Sequence, residues 1–189
     1  MRILIAGLLG AIAMFVWTSF AHMATPLDSA GFSQMKNESV VLSAMKSGVG
    51  EKRGLYFFPW VSPSDPKMME KAAALKKVNP SGLLIYQPPG ASTDMMPMLI
   101  KEFAKEFAQS LIAALLLSMA SLAGYFRRLG FVTLIGGFAV LGTDVSYWIW
   151  YGFPTSFTLA AMTIELVGAF AAGLVIAWWL GEGGARVSG

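Results

Sequence analysis

Two acids sit where carboxylates are costly: Asp144 inside the apolar run 129–150 and Glu165 inside the run 157–180. A charged side chain in hydrocarbon costs about 2.5–3.5 kcal/mol on insertion scales and normally turns toward the interior of a helix bundle. At 1.5 Å of rise per residue, Asp144 lies about 10 Å from Tyr151 and Glu165 about 12 Å from Phe157. Helices joined through 151–156 would therefore hold the two acids at one depth. Glu106, Gln109 and His22, the last being the sole histidine, complete a candidate intramembrane polar cluster of His22, Glu106, Gln109, Asp144 and Glu165. Such a set can fasten helices together, with Lys101 or Lys105 and His22 neutralising the acids. It can also bind a hard or borderline cation, or carry a proton, through its carboxylates, amide oxygen and imidazole. Catalysis is the weakest of the three. The sequence has no GxSxG, no Walker A loop and no GxGxxG opening a helix, and Gly48-Val49-Gly50 lacks the third glycine.

The small residues suggest which helix faces carry these groups inward. Gly130, Gly137 and Asp144 are spaced by seven, and Ala161, Glu165, Gly168 and Ala172 follow a helical spacing. Glu102, Glu106, Gln109, Ala113 and Ala120 form a third stripe, and Gly7, Ala11, Thr18 and His22 a fourth. Small residues let helix backbones approach closely in lipid, so each stripe is expected to face a neighbour.

The elements that must position them follow from composition. Of 189 residues, 56% are hydrophobic and 13% charged, and the mean hydropathy is +0.60, well outside the range of soluble domains. The absence of cysteine excludes disulfides, thiolate metal sites and cysteine nucleophiles. A formal charge of +3, dispersed along the chain, gives no reason to expect nucleic acid as a partner. Four stretches are long and apolar enough to cross a bilayer: Ile3 to Met23, about 103–126, about 129–150 and about 157–180. The first is expected to be an uncleaved signal anchor, because its apolar run is long for a signal peptide and Phe20-Ala21-His22-Met23-Ala24 offers no small-x-small cleavage site. Arg2, Arg127, Arg128 and Arg186 fall on one side of an alternating four-span chain, which places both termini in the cytoplasm by the positive-inside rule. Trp17, Trp178, Trp179 and the cluster Tyr147, Trp148, Trp150, Tyr151 and Phe153 read as interfacial anchors; the cluster has a quinone or lipid pocket as its alternative. The methionines Met68, Met69, Met95, Met96 and Met98 read as apolar filler rather than copper ligands.

The segment 24–100 then lies outside the membrane as a small α+β insert. Ser39 to Lys46 predicts a short helix, Gly54 to Pro59 a strand, Lys67 to Val78 a second helix entered through Ser64-Asp65-Pro66, and Leu83 to Tyr86 a second strand. Strand, crossover helix and strand fit a βαβ unit, with an antiparallel pair as the other possibility.

Several of these motifs occur together elsewhere. Trp17, Gly54-Leu55-Tyr56-Phe57-Phe58-Pro59, Gly82-Leu83-Leu84-Ile85-Tyr86-Gln87-Pro88 and Trp150-Tyr151-Gly152-Phe153-Pro154 before Phe157-Thr158-Leu159 resemble a group of small bacterial inner-membrane proteins. That group is built from one anchor helix, a short periplasmic insert and three further helices. No activity is assigned to it, so the resemblance bears on architecture and carries over no functional residue. The expected fold is a membrane all-α four-helix bundle, with 1–23 as the anchor, 24–100 as the extracytoplasmic insert and 101–189 as the remaining three-helix region. The expected role is that of a non-catalytic accessory, assembly or interaction protein. Its expected partners are the lipid bilayer and other membrane or envelope proteins, with a homo-oligomer as a further possibility. No cofactor is expected. The alternative is a small ion- or proton-coupled transport or cation-binding protein.

Overall fold

The computed structural model describes residues 1–181; Arg186, one of the orienting arginines, lies outside the described residues. The described chain is mostly helical and forms two compact units, Ser33–Thr93 and the helices that flank it on either side in sequence.

The larger unit holds four long helices: α1 (Arg2–Ala24), α4 (Met96–Ala120), α5 (Tyr125–Tyr151) and α6 (Thr155–Gly181). All four are long and apolar enough to cross a membrane. Their boundaries depart from the apolar runs for local reasons. α4 begins at Met96, ahead of the expected 103, because Pro97 suits the first helical turn and the Asp94 carboxylate accepts the Met96 N–H at 3.0 Å. It ends at Ala120 rather than 126. Ser121 adopts φ 48° and Gly124 φ 87°, so the apolar stretch Leu122-Ala123-Gly124 is a reversal and not a helical turn. Arg127 and Arg128 consequently sit in the first turn of α5, not in a loop.

α1 packs along both α4 and α6, and α6 along α5, whereas α4 meets α5 and α6 only slightly. The lateral order is therefore α4–α1–α6–α5, with a cleft between the two ends of the row. The core is built from small side chains and a few larger ones: Ala6, Ala114, Ala177 and Ile176 are fully buried, with Met14 and Leu117 nearly so. Small residues allow the backbones to approach, and dispersion contacts then accumulate along the seams. On α5 the contacting line is Leu129, Val132, Gly136 and Val140, not the expected Gly130, Gly137 and Asp144. A Cβ at Gly136 would overlap that of Ala169, whereas one at Gly130 would meet nothing within 4 Å. On α1 the expected Gly7, Ala11 and Thr18 are buried, and so are Gly10, Met14 and Ala21, but His22 is not.

At its C-terminal end α6 is closed by arginines. Arg2 donates to the carbonyl of Trp179 at 3.1 Å, the Trp179 indole returns a bond to the Arg2 carbonyl at 3.2 Å, and the Arg128 guanidinium packs against Gly181. Cations there satisfy orphan carbonyls and meet the negative end of the helix dipole. At the N-terminal end of α6 Phe32 packs edge-on against Phe157, with ring centroids 5.6 Å apart, so the chain just beyond α1 belongs to the helical unit.

The smaller unit contains α2 (Glu38–Val49), β1 (Gly54–Phe58), α3 (Met68–Val78) and β2 (Gly82–Tyr86). Its strands pair antiparallel, in the register Gly54↔Tyr86 to Phe58↔Gly82, so the expected βαβ unit does not form and the other possibility, an antiparallel pair, does. The α3 connection returns the chain to the strand end it left. Gly82 suits that position because a Cβ there would press on the Phe58 ring at 3.2 Å. The Tyr86 hydroxyl donates to the Gly50 carbonyl at 2.9 Å, and Lys76 lies 5.6 Å from the centre of the Phe57 ring.

Candidate functional site

Consecutive residues on three helices create a polar layer within the apolar unit. On α1, the Trp17 indole donates to the Ile164 carbonyl of α6 at 2.8 Å, and the Thr18 hydroxyl donates to Glu106 Oε1 of α4 at 2.7 Å. Trp17, expected as an interfacial anchor, is also an interhelical donor. Beside Glu106 on α4, Lys105 donates to Glu102 at 2.7 Å and reaches Glu165 of α6 at 3.4 Å. One ammonium therefore serves two carboxylates on different helices. A lysine can do so because its three donors sit at the end of a flexible stem.

Glu106 is fully buried. Its Oε1 has the Thr18 hydroxyl; its Oε2 is buried without a hydrogen-bond partner, as is Ser110 Oγ one turn further along α4. Buried polar atoms are nearly always paired, so two orphans one turn apart mark a polar-deficient point of the interior.

Ser110 opens onto a cavity of about 370 Å³ between α4, α5 and α6, floored by Met14 of α1. Its polar end carries Gln109, Ser110, Thr143, Asp144 and Glu165; the remainder is apolar, with Ala113, Val132, Ile135 and Ala172 among its walls. The cavity exists because α4 and α5 scarcely touch. Asp144 lies at its rim, half-buried, and its charged neighbour there is another carboxylate, Glu165.

Of the five residues singled out by sequence, Gln109, Asp144 and Glu165 therefore share one cavity. Glu106 lies in the adjoining layer, linked through Lys105, whose ammonium faces both Glu106 and Glu165. His22 stands apart: its Nδ1 pairs with Asp28 at 2.7 Å, with both side chains more than half exposed. Ser110 and Thr143 were not singled out. A serine four residues after Glu106 was the available signal, since i and i+4 share a helix face. Among the described residues, no three of His, Asp and Glu converge closely enough to hold a metal ion. Chemically, the arrangement fastens α1, α4 and α6 together, and beside that fastening it leaves a polar-ended apolar cleft.

No protein-family model matches the chain, and neither a curated protein nor a solved structure does.

Proposed function

We infer that the chain is a multi-pass protein of a bacterial inner membrane with a non-catalytic accessory, assembly or interaction role among membrane or envelope components. Its architecture in this reading is a membrane four-helix bundle with an extracytoplasmic insert, as in the small inner-membrane proteins it resembles. The observation that carries the reading is Lys105, already bonded to Glu102 and Glu165. An acid whose counter-ion is a side chain of the same fold joins helices; it has no need of a transported cation. Arg2 and Arg128 both reach the last turn of α6, which supports a cytoplasmic face at that end. Tyr147, Trp148, Trp150 and Tyr151 are exposed near the other end of α5, as an outer aromatic belt requires. The partners are the lipid bilayer, other membrane or envelope proteins, and a second copy of the chain; nucleic acid is not among them.

Glu165→Gln tests the role of the acids. Joinery predicts a clear loss of thermal stability in mild detergent, shared with Lys105→Met and not additive with it. Unchanged stability together with lost cation or proton flux in proteoliposomes would favour ion coupling instead. Asp144 and the orphan oxygen of Glu106 are the observations on that side. Transport would also require several copies, since one four-helix chain without an inverted repeat is short for a transporter. The interaction role itself predicts a reproducible membrane or envelope partner in mild-detergent purifications of the full chain.

A further inference from the structure

The cleft between α4 and α5 has a chemical polarity of its own. Toward the arginine-bearing end it is walled by Val132, Ile135, Ala172 and Met14; toward the other end it carries Gln109, Asp144 and Glu165. Its volume of about 370 Å³ is at the small end of the roughly 300–1,000 Å³ typical of ligand sites. That suits an apolar chain and is too little for a helix.

Charge decides what sort of head such a chain would carry. Lys105 divides its ammonium between Glu102 and Glu165, while Asp144 has no hydrogen-bond or ion-pair partner among the described residues and faces Glu165. A phosphate or sulfate head would meet two carboxylates. A donor head would meet the Asp144 carboxylate and the oxygens of Gln109, Thr143 and Ser110, the last being 2% exposed, lining the cavity and having an unpartnered Oγ. We propose that the α4–α5 cleft is a binding site for a single-chain amphiphile with a cationic amine head, the ammonium lying against Asp144 on the Ser110 side of the cleft, with Glu165 held by Lys105, and the chain running toward Val132 and Ile135. The site goes beyond the accessory role and needs no protein partner, but it rests on the four helices spanning a bilayer, because only then does the cleft open to acyl chains.

The test uses the full chain in phosphatidylcholine vesicles. Because the protein has no cysteine, a fluorophore at Ile112→Cys, on the cleft wall, reports binding without background. The same label at Leu134→Cys, exposed on α5 and outside the cleft, is the control. Three nitroxide-labelled probes of equal chain length are compared: an alkylammonium, an alkyl alcohol and an alkyl sulfate. The expected result is saturable quenching at Ile112 by the ammonium probe at a concentration about tenfold or more below the other two, as a charge-assisted bond in a dry site should give, with no such preference at Leu134. Asp144→Asn should remove the ammonium preference, and Ala139→Phe, which fills the cleft, should remove saturable quenching by all three probes. Equal response to the three probes, preference for the sulfate, or an ammonium preference that survives both substitutions overturns the proposal. Alkaline carbonate washing separates the two inferences. A chain that is washed out of the membrane defeats the membrane reading and this site with it, whereas one that stays but shows no preference defeats this site alone.

Discussion

Thr18 and Glu106 show how strongly a single hydroxyl can be committed inside an apolar unit. Thr18→Val removes the donor from one oxygen of a fully buried carboxyl whose other oxygen already has no partner. The expected loss is about 1–3 kcal/mol, measured by unfolding in mixed detergent micelles. Combining it with Glu106→Leu should recover part of that loss, since the stranded oxygens leave with the carboxyl. Asp144 and Glu165 were legible in the sequence because an acid in an apolar run is conspicuous. His22 was not, since its partner Asp28 lies six residues along the chain in a stretch with no periodicity to place it. Ser110 was silent for a different reason: a serine in a helix is common, and only burial reveals that its hydroxyl has no partner.

Helix faces were harder to read than helices. At 3.6 residues per turn Gly130, Gly137 and Asp144 lie about 60–100° round the helix from Leu129, so they run beside the line of closest contact that Leu129, Val132, Gly136 and Val140 trace. Gly136→Val should push α5 from α6 at a cost of about 1–3 kcal/mol. Gly130→Ala, with open space around it, should stabilise by up to about 1 kcal/mol through helix propensity. Thermal melts of the two variants in one detergent compare them directly. In the smaller unit the entry to α3 is held by Asp65, which accepts the Lys67 N–H at 2.9 Å and pairs with Lys71. The Lys71 ammonium, helped by the Lys67 N–H, holds the Asp65 carboxyl below its ordinary value of 3.8. A depressed carboxyl contributes fully above that ordinary value and loses its contribution as pH falls through the lower folded one. Protection of the amides in the first turn of α3, taken as the ratio of intrinsic to observed exchange rate, should therefore fall only as pH drops below that ordinary value, and Asp65→Asn should abolish that pH dependence of the protection.

For the molecule as a whole, hydropathy gave the number of long helices and their approximate places, because burial in lipid depends on composition alone. It could not give their lateral order, α4–α1–α6–α5, which depends on side-chain shapes along each contact. Strand direction in the smaller unit was equally undetermined, since a connection of that length permits either sense. If the four helices span as proposed, a membrane-impermeant maleimide should label Ser92→Cys from the periplasmic side of spheroplasts, and labelling from the cytoplasmic side alone would reverse the topology. The lateral order also has a consequence for biosynthesis. α1 leaves the ribosome long before the helix that covers its second flank, because it lies between α4 and α6 and α6 follows every other described element. Until Gly168 and Ile176 of α6 have been made, the nascent chain presents the Met14 and Trp17 side of α1 uncovered, and a prematurely terminated product would keep that seam bare.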